Sequence, residues 1–149
     1  MYKHILLPTD GSPLSSRAAQ QAIGLAKALG ARVTVLQVTG GYRQVYESEG
    51  FVMPGIKSLE KQFEIETNAR AQQVLDSVKA AAGQAGVECK TLIATSDLPH
   101  EAIVKQASKQ KCDLIMMASH GRRGLQAVLL GSETQKVLTH SKIPVLVCR

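Results

Sequence analysis

Five apolar runs punctuate the chain: Tyr2–Leu7 (YKHILL), Val33–Val38 (VTVLQV), Cys89–Ala94 (CKTLIA), Asp113–Ala118 (DLIMMA) and Pro144–Cys148 (PVLVC). Several are near-continuous rather than alternating, the pattern of strands covered on both faces. Segments of helical period lie between them. The first is predicted to open at Ser12-Pro13, an N-cap followed by proline at the first helical position. Leu14, Ala18, Ala22, Leu25 and Leu29 then share one face, and Gly30 closes the helix. The second is predicted from about Ser58 to Ala82, with a stripe of Leu59, Phe63, Thr67, Ala71, Val74 and Val78, and with Gly83 and Gly86 marking its exit. The third is predicted from about Pro99 to Lys109. The fourth starts at Ser132, with Val137 and Leu138 expected to face inward, and the Ser132/Gln135 spacing fits a capping box. From Thr39 to Lys57 neither period holds, and a long loop is expected.

The alternation of strand and helix predicts an α/β fold: a five-stranded parallel sheet, doubly wound into a Rossmann-like three-layer sandwich with right-handed crossovers. With 149 residues, one domain spanning 1–149 is expected. The favoured strand order puts strands one and four side by side at the switch point, and ligands of such sheets bind beyond the carboxyl ends of the strands there. Two segments far apart in sequence are therefore expected to meet: PTDGS (Pro8–Ser12) after the first strand and ASHG (Ala118–Gly121) after the fourth.

Composition narrows the picture a little. No apolar run approaches the roughly 20 residues that span a bilayer, and MYKHILLPTD lacks a signal peptide's charged and long apolar regions, so a cytoplasmic protein is expected. The net charge of +6 raises the question of nucleic acid, but Lys and Arg are scattered, and three Tyr, two Phe and no Trp give little for bases to stack on. Excess positive charge suits a small polyanion as well. Cys89, Cys112 and Cys148 form no CxxC pair, so buried apolar filling rather than a disulfide or zinc site is expected.

The segment ASHGRRGLQAVLLGSET (Ala118–Thr134) carries the candidate chemistry. Glycine lets backbone approach a ligand closely, and Gly131-Ser132 lies at a helix start, where free N–H groups favour an anion. The competing reading is plain turn chemistry, with Ser132 capping only its own helix. The G-x-x-x-x-G-K-[ST] loop, G-x-G-x-x-G after the first strand, the G-x-S-x-G elbow and a second His four residues after His100 are all missing from the sequence. No catalytic constellation emerges from it.

With ILLPTDGS at the start, SHGRRGLQAVLLGSETQKVL after strand four and SKIPVLVC at the end, the chain resembles the universal stress protein family along essentially its full length. ATP-binding members of that family carry G-x2-G-x9-G-[ST]. Gly121, nine residues, then Gly131-Ser132 match this, while the position three before Gly121 is Ala118 in place of glycine. The resemblance implies that Asp10 and the adjoining Thr9 stand near ribose and phosphates. It places Pro8 and Val38 beside adenine, with Met117 and Ala118 lining the same pocket, and Gly121, Gly131, Ser132 and Glu133 at the phosphate-facing turn. For Glu133 a backbone N–H contact is expected, because its carboxylate would repel phosphate. Alternatively, Asp10 simply starts an Asx turn. Arg122 and Arg123 are candidate phosphate clamps or solvated loop residues, and His120 is expected to orient the loop. His4, inside strand one, reads as a core or partly buried histidine.

The implied function is that of a stress-response sensor or regulator binding ATP with Mg²⁺. The rivals are a slow ATPase and a nucleotide-free interaction module. The resemblance also implies a homodimer through the C-terminal strand, which reads as an apolar edge. A regulatory protein partner is expected without its identity being legible, and no membrane or nucleic acid partner is expected.

Overall fold

The computed structural model of the chain describes residues 1–41, 57–121 and 130–149. Along it run β1 (His4–Pro8), α1 (Pro13–Leu29), β2 (Arg32–Thr39), α2 (Lys57–Gln84), β3 (Cys89–Thr95), α3 (Pro99–Lys109), β4 (Leu114–Ala118), α4 (Ser132–His140) and β5 (Val145–Cys148). The strands form one parallel sheet in the order β3-β2-β1-β4-β5. β1 and β4 are neighbours, so the switch point lies where the alternation predicts it.

The two faces of the sheet bury two cores. Ile5, Leu7, Val33, Val35, Leu114 and Met116 pack under α1 and α2. Leu6, Leu36, Ile115 and Met117 pack under Ile103 and Ala107 of α3 and Val137 of α4. Neighbouring residues of β1 thus serve opposite faces, and all five of its residues are buried. That is why the run reads as continuously apolar.

Several element ends differ from the sequence expectation, each for a visible reason. β1 and β4 start at His4 and Leu114, because Asp113 serves as a cap: its carboxylate accepts the backbone N–H groups of Lys3 and His4 at 2.8 and 2.9 Å. α1 buries Ala18, Ala19, Ala22, Ile23 and Ala26, a face of small side chains, with Leu14, Leu25 and Leu29 packed at its flanks. In α2 the expected stripe is only partly buried: Ala71 is buried, Phe63, Thr67, Val74 and Val78 are half-buried and Leu59 is exposed, while Leu75 and Ala82, outside the stripe, are buried. The N-cap of α4 is Gly131, not Ser132, and the expected capping box is absent: Gln135 Nε2 donates to the Leu130 carbonyl instead. Leu138 points outward, because the helix presents Thr134 and Val137 to the sheet. The bulk of the expected loop, residues 42–56, lies outside the described residues.

Cys112 and Cys148 are buried and Cys89 half-buried, all as free thiols. Burial pushes the Cys112 thiol up to about 11, which keeps it protonated and inert. Among the described residues no helix is long and apolar enough to cross a membrane.

Candidate functional site

Beyond the carboxyl ends of β1 and β4 lies a cleft of about 630 Å³. Its floor is set by the chain turning away from each strand. After β1, Thr9 N–H donates to the Leu36 carbonyl at 2.8 Å, extending the sheet by one rung before the backbone leaves it. Asp10 Oδ1 then accepts Ser12 N–H at 2.9 Å, an Asx turn, with Gly11 at φ 75°. The Ser12 side chain accepts Ser15 N–H at 3.2 Å and starts α1. Thr9 is committed to this same turn: its Oγ1 donates to Ser15 Oγ and accepts Gly11 N–H.

After β4, two contacts lace the chain back to the strand. Gly131 N–H donates to the Ser119 carbonyl at 2.8 Å, and Thr134 Oγ1 donates to the Ala118 carbonyl at 3.1 Å. These bonds set the first turn of α4 against the end of β4. The first N–H groups of α4, at Ser132 and beyond, have no carbonyl within the helix to donate to.

The two glycines of the pattern sit where a side chain would press on its neighbours. A Cβ on Gly121 would lie 2.7 Å from Asp10 Oδ2, and one on Gly131 would lie 3.2 Å from the Ser119 carbonyl oxygen. Asp10 and Gly121, 111 positions apart in sequence, are therefore in direct apposition. Ala118 is the last residue of β4, pairs with Cys148 and lacks positive φ, so it carries its methyl group without strain.

Of the expected site residues, Pro8, Thr9, Asp10, Val38, Met117, Ala118, His120, Gly121, Gly131, Ser132 and Glu133 all line this cleft. Arg122, with Arg123, lies outside the described residues. His120 Nδ1 meets Ser119 Oγ at 3.0 Å, while its Nε2 is buried with no hydrogen-bond partner among the described residues.

Glu133 lines the cleft but aims its carboxylate elsewhere, as the repulsion argument requires. Its Oε2 accepts His100 N–H at 2.9 Å and meets His100 Nδ1 at 3.1 Å, and its Oε1 accepts Lys136 Nζ at 2.9 Å. Burial raises the Glu133 pKa, but the hydrogen bonds from Lys136 and His100 outweigh it and hold the group below the usual carboxylate value. α3 has no cap from its own N-terminal residue, Leu98, so Glu133 of α4 supplies one across the helix pair.

Sequence reasoning missed the contribution of α3: Leu98, Pro99 and Ile103 also wall the cleft, as does Lys136. A signal existed, since every strand of a parallel sheet ends on the same side, and the SDLP turn after β3 therefore belongs to the same rim. The apolar wall (Leu36, Val38, Ile103 and Met117) stands opposite the polar wall of Asp10, Gly121 and the start of α4.

Comparison with known proteins decides the family. The chain matches the Universal stress protein family over residues 1–149. It belongs to that family. The universal stress protein MJ0531 of Methanocaldococcus jannaschii is 36% identical over 150 residues, an alignment covering all of this chain and 83% of the relative. The MJ0577 protein of the same organism, at 31% identity, superposes with a TM-score of 0.83 over 99% of this chain and 95% of that one. A universal stress protein of Archaeoglobus fulgidus, solved in complex with dAMP, shares the fold with a TM-score of 0.69 at 19% identity, over 99% of this chain and 98% of that one. In doubly wound sheets of this kind, ligands bind beyond the carboxyl ends of the strands at a switch point, which is where this cleft lies.

Proposed function

We propose that this chain, as a single domain, binds an adenine nucleotide in the cleft, ATP with Mg²⁺, and acts as a sensor or regulator in the stress response. The observation that carries the reading is the pair of glycines. Gly121 and Gly131 let the chain pass close to Asp10 and to the end of β4, which brings Asp10, the turn after β4 and the first N–H groups of α4 onto one wall of the cleft. The apolar wall is suited to a purine and the polar wall to a phosphate chain. The dAMP complex of the Archaeoglobus fulgidus protein adds that an adenine nucleotide is compatible with this fold.

In this reading Pro8, Val38 and Met117 hold the base. Asp10, whose Oδ1 is already fixed by Ser12 N–H, faces the ribose and the phosphate-bound cation. Gly121, Gly131, Ser132 and the backbone of Glu133 take the phosphates. Bound Mg²⁺ supplies charge neutralisation for the phosphate chain. Regulation rather than turnover is favoured because the described walls place no general base or nucleophile in an evident catalytic arrangement.

Calorimetric titration with ATP and Mg²⁺ tests the reading, and saturable heat is the expected result. Absence of binding to the whole chain would replace it with the nucleotide-free interaction module. We also assign the homodimer to β5. This edge strand, VLVC, carries no charge and leaves Leu146 exposed, whereas the opposite edge, β3, carries the exposed Lys90, a residue that blocks edge pairing. Light scattering should give the mass of two chains.

A further inference from the structure

The opposite end of the sheet holds a second cleft, of about 640 Å³, that the nucleotide reading does not use. It is built where chain segments enter the strands. Lys3 comes from before β1, Lys27 from the last turn of α1, Arg32 from the start of β2 and Lys111 from just after α3. None of these four side chains makes an ion pair among the described residues. The walls also contain two carboxylates, Glu88 and Asp113. Asp113 is occupied by the N–H groups of Lys3 and His4, which leaves Glu88 as the exposed opposing charge.

Three helices end at this cleft, and their partial negative charge offers one reason for cations here. Backbone answers part of that charge. Ala31, Val87 and Cys112 each donate an N–H at 2.8–2.9 Å to the carbonyls of Ala26, Ala82 and Ala107. The three ends also share a left-handed residue, at Gly30 (φ 63°), Gly86 (φ 75°) and Lys111 (φ 56°). Glycine takes that conformation freely, and lysine does not. At the third end the chain holds a strained backbone and sets a lysine at the cleft. The floor is His4, buried, with Nε2 on Thr34 Oγ1 at 2.8 Å.

We propose that this cleft is a second anion site, taking a small phosphate-bearing polyanion between Lys3, Lys27, Arg32 and Lys111, at the opposite end of the sheet from the nucleotide cleft. Its volume is that of a small-molecule pocket. Its four cations, brought to one cleft from separate segments, match a multiply charged ion better than a single carboxylate.

The test is a titration of the full chain with tripolyphosphate, followed by amide NMR. Saturable shifts are expected at Gly30, Gly86 and Lys111, as a set separate from any at Gly121 and Gly131. Lys111→Gly should weaken binding at the first set by about threefold or more, the effect of one removed surface charge. The same variant should raise the melting temperature, because glycine relieves the left-handed position. Glu88→Gln should tighten binding. No saturable shift at Gly30, Gly86 and Lys111, shifts confined to Gly121 and Gly131, or a Lys111→Gly variant that gains stability with unchanged affinity would each overturn the assignment.

Discussion

The two ends of the parallel sheet use glycine for different physical ends. At the carboxyl end, Gly121 and Gly131 are valuable for the space they leave: a Cβ would meet Asp10 Oδ2 at 2.7 Å or the Ser119 carbonyl at 3.2 Å. At the amino end, Gly30 and Gly86 have nothing within 4 Å of a built Cβ, and both have positive φ. There glycine is valuable for backbone freedom alone, at the ends of α1 and α2. One residue type thus marks a candidate site at one end and a chain reversal at the other, and sequence spacing by itself does not separate the two.

The comparison can be broken most sharply at Gly121. Gly121→Val should lower ATP affinity by at least about a hundredfold, since a branched side chain would displace Asp10 and fill the polar wall. Circular dichroism should show the fold retained, and unchanged ATP affinity by calorimetry would remove the cleft from consideration. Gly30→Val at the other end should do the reverse. Forcing a β-branched residue into the left-handed region should cost about 1–2 kcal/mol of stability in denaturant titration and leave ATP affinity alone.

Ala118→Gly sharpens the same contrast. Ala118 ends β4 with no positive φ, so its methyl group narrows the cleft without straining it. The variant should bind ATP tighter by no more than about tenfold, roughly 1.4 kcal/mol. A parent that gives no heat beside a tightly binding Ala118→Gly variant would mean that alanine closes the site.

The smallest expected effect lies at the amino end and depends on pH. Burial first, then the nearby Arg32 guanidinium, lower the His4 pKa from its ordinary 6.5. The unfolded chain therefore takes up this proton before the folded chain does. Stability from neutral His4 is full above about pH 6.5 and is lost as pH falls from there through the depressed folded value. Denaturation midpoints at pH 7.5 and 5.5 should differ less for His4→Gln than for the parent.

Much of the fold was legible because it depends on period and alternation. The β1–β4 adjacency follows from element order, and the buried faces of β1 and β2 follow from apolar runs. What was not legible depends on contacts between segments distant in sequence. Leu59 fits a helical stripe, yet it is exposed, and the fully buried residues of α2 all lie in its second half. The start of α4 at Ser132 was legible, but not its cap: tertiary bonds from Gly131 and Thr134 to the end of β4 make Gly131 the N-cap, and the Ser132/Gln135 capping box does not form. The site itself was legible as a list of residues, eleven of which line one cleft. The role of Glu133 as the cap of a neighbouring helix was not, because no local spacing encodes it.

The lacing of Gly131 to Ser119 and of Thr134 to Ala118 makes the intervening chain a ring tied at its neck. Closing a ring costs entropy that rises only with the logarithm of its length, about 0.6 kcal/mol per doubling. The two bonds involve only Ala118, Ser119, Gly131 and Thr134, so the neck itself, rather than the residues it encloses, holds the start of α4 against the end of β4.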